Sequence, residues 1–410
     1  MDLLADAQAM RPELIELRQA LHREPEVGLH LPRTQERLLE ALRGLPLEIA
    51  TGTETTSVTA VLRGGAAASA PGVGPTTAPG GGPTTVLLRG DMDALPVDER
   101  SGEDFAATNG AMHACGHDLH STALVGAARL LCAHRDRLAG DVVFMFQPGE
   151  EGWDGAAAMI REGVLDAAGR RADHAYALHV SAGGLPPGVV AGRAGVLLAA
   201  AYELDVTVRG AGGHGALPHR ARDPIVAAAE MIGALQTTIT RSFSVFEPVI
   251  LTVGILRAGT ARNVIPDTAT FQATVRAFAP DAEDLLRDTF TRRLRGVAAS
   301  HGVEVDVELR ATYPVTVNDG DEADFAAGVV RELLGEQYYF AAPNPIPASE
   351  DFSRVLNAVP GAMLMVGACP PDVDPAAAPY NHSPLARFDS SVLDTAVTLL
   401  AGFAAERLAR

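Results

Sequence analysis

The chain has 410 residues, of which 47% are hydrophobic and 20% are charged, as is usual for a soluble globular protein. Its 33 Lys and Arg residues against 51 Asp and Glu residues give a net charge of −18 without any basic run, which excludes nucleic acid and anionic membranes as partners. The length allows two domains. Three scattered cysteines, the lack of a signal peptide and the lack of a span of about 20 apolar residues favour a cytoplasmic location.

The first elements in chain order are two helices and a strand. Apolar spacing predicts helices over 12–22, with Pro12 near the first turn, and over 34–43, followed by a strand at 57–62. Residues 64–85 are almost entirely Gly, Ala, Pro, Ser and Thr, which predicts a mobile loop that catalysis does not need. A buried-type strand resumes at 86–89.

Polar side chains follow three apolar strands at the point where each strand ends. The strand at 86–89 runs into Asp91 and Asp93, the strand at 142–146 runs into Glu150 and Glu151, and the strand at 175–178 runs into His179. Short apolar strands that alternate with helices indicate a mostly parallel α/β sheet. The carboxyl ends of such strands meet at one crevice, so we expect these side chains to lie together.

Residues 112–120 hold three histidines, a cysteine and an aspartate. Thiolate, imidazole and carboxylate groups bind Zn-like divalent metals, and Gly116 lets the backbone turn so that Cys115 and His117 face one centre. The helical spacing of the residues from Leu119 onward places this cluster at the start of a helix.

The pattern changes near residue 198. Predicted strands and helices follow in the order β-α-β-β-α-β up to about residue 309, which is the order of a ferredoxin-like unit. A helix at 321–334, a strand at 362–366 and a final helix from 391 then return to the first pattern. We therefore predict a catalytic domain formed by 1–197 and 312–410, with an inserted domain at 198–311.

The clusters together form a ligand set for two divalent cations: Asp91, Asp93, Cys115, His117, Glu150, Glu151, His179 and His382. Two metals can polarise a carbonyl and lower the pKa of a shared water. Adjacent glutamates allow one carboxylate to bind metal while the other serves as a general base.

Eight motifs occur in an order that resembles the metal-dependent amidohydrolases, which include hippurate hydrolases, indole-3-acetyl-amino-acid hydrolases and N-acetyl-diaminopimelate deacetylases. They lie at 88–96, 112–118, 146–151, 178–180, 212–219, 261–267, 349–352 and 382–389. The resemblance covers nearly the whole chain and implies a two-metal catalytic domain with an inserted lid that also forms the dimer contact.

The resemblance also implies roles for single residues. Glu150 is implied as the general base and Asp93 as the support of the metal-bound histidine or of the base. His214 is implied to reach the neighbouring subunit's site and hold the scissile carbonyl, and Asn263 to contact substrate. The implied metal ligands are Cys115, His117, Glu151, His179 and His382. His113 or Asp118 remains the alternative ligand in the first cluster.

The expected activity is hydrolysis of the amide bond of N-acyl amino acids by a metal-activated water, with Glu150 as the base. The alternatives are a dipeptidase or carboxypeptidase on the same site, or a non-catalytic metal-binding regulator. Two divalent ions per subunit are expected, and the mixed ligand set tolerates Zn, Mn, Co and Ni. The expected partner besides the small-molecule substrate is a second copy of the chain, as a homodimer or within a higher homo-oligomer.

Overall fold

A computed structural model describes residues 1–66 and 83–410. The predicted loop at 64–85 therefore lies, for residues 67–82, outside the described part of the chain. The described residues form two compact units. The first comprises Met1–Leu197, Val317–Asn344 and Asp351–Arg410, and the second comprises Leu198–Thr316 and Pro345–Glu350.

The first unit is built on an eight-stranded sheet. Its strands are β1 (Glu48–Thr51), β2 (Val58–Leu62), β3 (Thr85–Asp91), β4 (Asp141–Gln147), β5 (His174–Ser181), β6 (Val190–Gly192), β15 (Tyr339–Ala341) and β16 (Gly361–Gly367). They lie in the order β1-β2-β4-β3-β5-β16-β6-β15, and the central four, β4-β3-β5-β16, are parallel. These four strands are buried along almost their whole length, which explains their continuous apolar sequences. The predicted mostly parallel α/β class is confirmed.

Helices cover this sheet. They are α1 (Leu3–Arg23), α2 (Pro32–Ala41), α3 (His117–Ala133), α4 (Gly155–Arg161), α7 (Gly320–Leu334), α8 (Ser353–Leu356) and α9 (Val392–Leu408). Helices α1, α3 and α9 pack against one another, and α3 and α9 also contact β3. No helix in the described ranges is both long enough and apolar enough to cross a bilayer.

The first helix begins earlier than its sequence pattern predicts. The Asp2 side chain accepts a hydrogen bond from the Ala5 backbone N–H and caps the helix, which therefore starts at Leu3. Pro12 lies inside the helix and not in its first turn, at the cost of one main-chain hydrogen bond. The prediction of a start near Pro12 is therefore wrong.

The second unit has the predicted β-α-β-β-α-β order. It consists of β8 (Ala200–Arg209), α5 (Pro224–Ser242), β10 (Val249–Ala258), β12 (Thr268–Ala277), α6 (Ala282–His301) and β13 (Glu304–Tyr313). The four strands form an antiparallel sheet in the order β10-β12-β8-β13, and α5 and α6 pack on it. The Asp223 side chain accepts the Ile225 backbone N–H and caps α5.

Two short ribbons complete the architecture. One pairs β9 (Gly213–His214) with β11 (Val264–Ile265). The other pairs β7 (Gly195–Leu198) with β14 (Thr316–Asn318), where the chain leaves the first unit and returns to it.

Candidate active site

The strand ends of the first unit bring the candidate side chains together. β3 lies between β4 and β5 and is parallel to both, so Asp91, Gln147 and His179 come from neighbouring strands that point the same way. Helix α3 begins at His117, directly after Gly116, whose φ of +81° is easy only for glycine. The structure therefore places the Cys115–His117 turn beside the strand ends, as the sequence predicts.

Asp93 holds the turn that carries the two glutamates. Its Oδ1 and Oδ2 atoms accept the backbone N–H groups of Glu150 and Glu151, each at 3.0 Å. Its backbone carbonyl accepts a hydrogen bond from His117 Nδ1 at 2.9 Å. Gly149 opens the turn with a φ of +71°. One fully buried residue thus fixes both a histidine and the glutamate pair.

Donor atoms of the proposed ligands lie close together. Cys115, His117 and His179 form one group whose ligand atoms are all within 4.8 Å of one another. Cys115, Glu151 and His382 form a second group, which shares the thiol. Cys115 Sγ is 3.5 Å from His179 Nε2, and His382 Nε2 is 3.0 Å from Glu151 Oε1. The two groups therefore share one sulfur atom and form one continuous set of possible ligand atoms.

The His117 ring provides a direct test of whether the residues fit a metal. A carbonyl only accepts hydrogen bonds, so the bond to the Asp93 oxygen requires a proton on His117 Nδ1. His117 Nε2 is buried and has no hydrogen-bond partner among the described residues. This nitrogen belongs to the group with Cys115 and His179, and a ring held through its other nitrogen by a carbonyl is the arrangement that a metal ligand requires.

The electrostatics of the site favour positive charge. Burial alone would raise the pKa of the Cys115 thiol, but His179, His117 and His382 hold that pKa well below its usual range. Hydrogen bonds to Cys115 and Glu151 raise the pKa of His382 to about 10. A set of anionic groups that favours protons on imidazoles also favours divalent cations in their place.

Asp91 and His120 lie next to the His117 ring. Asp91 Oδ1 accepts a hydrogen bond from His120 Nδ1 at 2.6 Å, and Asp91 Oδ2 lies 3.5 Å from His117 Nε2. His120 Nε2 accepts the backbone N–H of Val180 at 2.8 Å, so the ring is neutral with its proton on Nδ1. His120 is a site residue that was not predicted from the sequence, although its position one helical turn after His117 places both rings on one face of α3.

A buried cation anchors the same layer. Arg89 donates hydrogen bonds to Asp91, Gln147 and Asp351, and its side chain is fully buried. Gln147 Nε2 and the Ala156 backbone N–H also donate to Asp351. The Ser349–Phe352 motif therefore contributes a buried carboxylate that ties β3 and β4 together.

Trp153 lies two residues after Glu151 and is 55% exposed. Its indole packs over Gly28, where an added Cβ would lie 3.2 Å from Trp153 Cε2. Gly28 has a φ of +88°, so both conformation and space require glycine there. The Trp153 indole, two residues along the chain from the glutamate pair, therefore packs against the backbone at Gly28.

His214 and Asn263 lie side by side in the second unit. His214 pairs with Val264 across the β9–β11 ribbon, and the Gly215 N–H donates to the Asn263 carbonyl at 2.8 Å. Both residues are exposed. The Ala216 N–H donates to His214 Nδ1 at 3.1 Å, so the ring proton lies on Nε2. His214 therefore presents an N–H donor away from its own backbone.

Neither alternative ligand of the first cluster belongs to a candidate metal group in the described residues. Asp118 is 3.0 Å from Arg18 Nε and 2.9 Å from His22 Nδ1. The His113 ring is buried, and neither of its nitrogens has a hydrogen-bond partner among the residues that the structure describes. Burial lowers the pKa of His113 to about 3, which keeps the ring neutral.

The parallel sheet with thiolate, imidazole and carboxylate groups at its strand ends defines a metal-binding hydrolase. The family model described as peptidase family M20/M25/M40 matches residues 87–406, and the chain belongs to this family.

Two proteins and one solved structure show the extent of the similarity. N-acetyldiaminopimelate deacetylase of Lacticaseibacillus casei is 34% identical over 97% of this chain and 98% of its own. IAA-amino acid hydrolase ILR1-like 2 of Arabidopsis thaliana is 33% identical over 96% of this chain and 85% of its own. The crystal structure of Bacillus subtilis YXEP, described as a dinuclear metal binding peptidase, matches with a TM-score of 0.80 and 27% identity, covering 98% of this chain and 99% of that one.

Proposed function

We propose that the protein hydrolyses the amide bond of N-acyl amino acids or amino-acid conjugates. The observation that carries this proposal is the pair of donor groups that share Cys115, with Glu150 held beside them by Asp93. A metal-binding regulator needs ligands but no further base, whereas this site has two adjacent glutamates whose backbones are fixed by one carboxylate.

The residues proposed to hold the cations are Cys115, His117, Glu151, His179 and His382. Two divalent ions in this set would polarise the scissile carbonyl and make water more acidic. We propose two ions per subunit. Zn, Mn, Co and Ni are all candidates, because each suits a mixed set of sulfur, nitrogen and oxygen ligands.

In the proposed reaction, the Glu150 carboxylate removes a proton from the attacking water as the carbon–oxygen bond forms. Glu150 then donates this proton to the leaving nitrogen as the carbon–nitrogen bond breaks, giving a carboxylic acid and an amine. The Nε2–H group of His214 is proposed to donate to the carbonyl oxygen, where negative charge develops. Asn263, its neighbour across the ribbon, is proposed to contact the substrate.

We also propose a homodimer formed through the 198–311 domain, which would serve as a lid as well. Strand β10 is one of the two edge strands of the four-stranded sheet, and an edge leaves main-chain groups available for pairing. Its side chains Ile250, Ile255 and Leu256 are exposed, as is Val226 on α5. An apolar edge of this kind suits a second copy of the same strand. A cytoplasmic location agrees with a reduced Cys115.

Elemental analysis of the purified protein, combined with a substrate panel, tests the function. We expect bound divalent metal and release of amino acid from N-acetyl, N-benzoyl and N-indoleacetyl amino acids after metal is added. Dipeptides in the same panel test the peptidase alternative. Metal-loaded, folded protein that hydrolyses no member of the panel would contradict the proposal.

A further inference from the structure

Asn381 precedes the proposed ligand His382 and was not singled out by the sequence patterns. Its Nδ2 atom donates to the Val180 carbonyl at 3.0 Å. The same nitrogen lies 3.6 Å from Cys115 Sγ and 3.4 Å from the Cys115 carbonyl oxygen. A primary amide has two N–H groups, so one can bond to Val180 while the other faces Cys115.

The amide oxygen of Asn381 is also used. It accepts the backbone N–H of Ala182 at 2.8 Å. Asn381 therefore contacts the β5 end through both of its polar atoms, and within the described residues its N–H group that faces the sulfur links it to a proposed ligand side chain.

The Val180 carbonyl connects Asn381 to a second ligand. The same oxygen accepts a hydrogen bond from His179 Nδ1 at 2.8 Å, which keeps the Nε2 atom of that ring as the one that faces Cys115. A carbonyl that accepts from both residues holds the imidazole and the amide in one fixed geometry. A shift of Asn381 would therefore change the position of the His179 ring.

Asn381 also anchors a strained backbone. His382 has a φ of +71°, a conformation that is strained for a residue other than glycine and persists only where the surroundings fix it. The His382 N–H is held by the Ala114 carbonyl at 2.8 Å, and the hydrogen bonds of Asn381 fix the preceding residue. These contacts fix the peptide group that precedes the strained residue.

We propose that Asn381 is a positioning residue of the metal centre, whose amide donates a hydrogen bond to the Cys115 thiolate and holds His179 and His382 in their ligating geometry. This inference rests on the proposed function, because it takes these three residues as ligands. A hydrogen bond to a ligating sulfur lowers its donor strength, and partners of this kind typically change metal affinity about 10–100-fold.

The test compares Asn381→Ala with Asn109→Ala. Asn109 has the same bonding pattern in the same unit, since its Nδ2 donates to the Pro25 carbonyl and its Oδ1 accepts the Ala111 N–H, but it contacts no proposed ligand. Each variant is purified without metal, checked by thermal melting, and titrated with Co²⁺ in competition with a chelator. The absorption band for charge transfer from thiolate to cobalt reports on the sulfur directly.

We expect Asn381→Ala to bind Co²⁺ about 10–100-fold more weakly, because His179 and His382 lose the contacts that hold them in ligating geometry, and this loss outweighs the greater donor strength of the sulfur. We expect the band to shift to longer wavelength, because a thiolate that loses its N–H donor gives up electrons more easily. Asn109→Ala should match the wild type in both measurements. Asn381→Ser, whose shorter side chain keeps a hydroxyl near the β5 backbone without reaching the sulfur, should show the same band shift and serves if the alanine variant does not fold.

Unchanged affinity and an unchanged band in folded Asn381 variants would overturn the inference and leave the proposed function standing. A wild-type protein that binds Co²⁺ without a thiolate band would contradict ligation by Cys115, and this inference would fall with it. The two failures are therefore distinguishable.

Discussion

The Asp93 carboxylate accepts the backbone N–H of Glu150 at 3.0 Å, so the proposed base is positioned through its main chain by a buried charge. The second carboxylate oxygen of Asp93 accepts the backbone N–H of Glu151 at the same distance. The bidentate contact explains why two adjacent glutamates can keep separate directions: their peptide groups are fixed, and each side chain leaves the turn along its own path.

Asp93→Asn should damage catalysis without unfolding the protein. The amide can still accept one N–H group, but its NH2 group would face the other N–H, so one backbone donor loses its partner. We expect kcat/KM to fall about 10–100-fold, as for other residues that orient metal ligands. Asp98→Asn, at an exposed aspartate on the following loop, is the matched control. Equal kcat/KM values for Asp93→Asn and the control would refute this role.

His214 is predicted to act on the site of the partner subunit. His214→Ala should fold and bind metal normally, yet lose about 10²–10³-fold in kcat, which is the usual cost of one oxyanion donor. Glu150→Gln should also be inactive. Mixing the two variants under subunit exchange should restore activity, to at most about half of the wild-type value per dimer, because one site of each mixed dimer then has neither defect.

Verified heterodimers that remain inactive would contradict action across the dimer. In that case His214 serves its own chain, and each site of the mixed dimer keeps one defect. His219→Ala, which alters an exposed histidine in the segment after the ribbon, is the control for nonspecific effects of changes in this segment.

Cys115 is predicted to react with a thiol reagent in metal-free protein and much more slowly after metal is added. The other two thiols are poor competitors, since burial raises the pKa of Cys132 to about 11 and also raises the pKa of Cys369. Cys115→Ser identifies the signal. Equal labelling rates with and without bound metal would exclude the thiolate as a ligand.

Glu322 is predicted to stabilise the folded protein at neutral pH and to lose this effect in acid. Burial alone would raise its pKa, but hydrogen bonds from His174, Arg407 and Tyr176 lower it to about 2, against about 4.3 in an unfolded chain. The stabilisation is complete above the unfolded pKa and is lost as the pH falls towards 2. Glu322→Gln should therefore lower the Tm at pH 7, and its Tm should approach that of the wild type near pH 2.

The control for this experiment is Glu332→Gln, which changes an exposed glutamate on the same helix, α7. Its melting temperature should follow the wild type at every pH. A Tm difference between Glu322→Gln and the wild type that stays constant from pH 7 to pH 2 would contradict the pKa shift.

The sequence predicted those features of the fold that depend on local patterns. The apolar strands that precede Asp93, Glu150 and His179 could be predicted from the continuous apolar pattern of a buried sheet. The β-α-β-β-α-β unit could be predicted from the order of its elements. The role of Asn381 could not be predicted, because its contacts to Cys115 and Ala182 join positions about 200 or more residues apart. The early start of α1 was missed because Pro12 is a strong helix-start signal that the capping by Asp2 overrides.

Trp153 is the only tryptophan in the sequence; it follows Glu151 by two residues, and its indole packs over Gly28. Tryptophan fluorescence therefore reports on one position, which lies two residues after Glu151. A stopped-flow trace of intrinsic fluorescence can follow metal loading or substrate arrival in unmodified protein, without an attached dye.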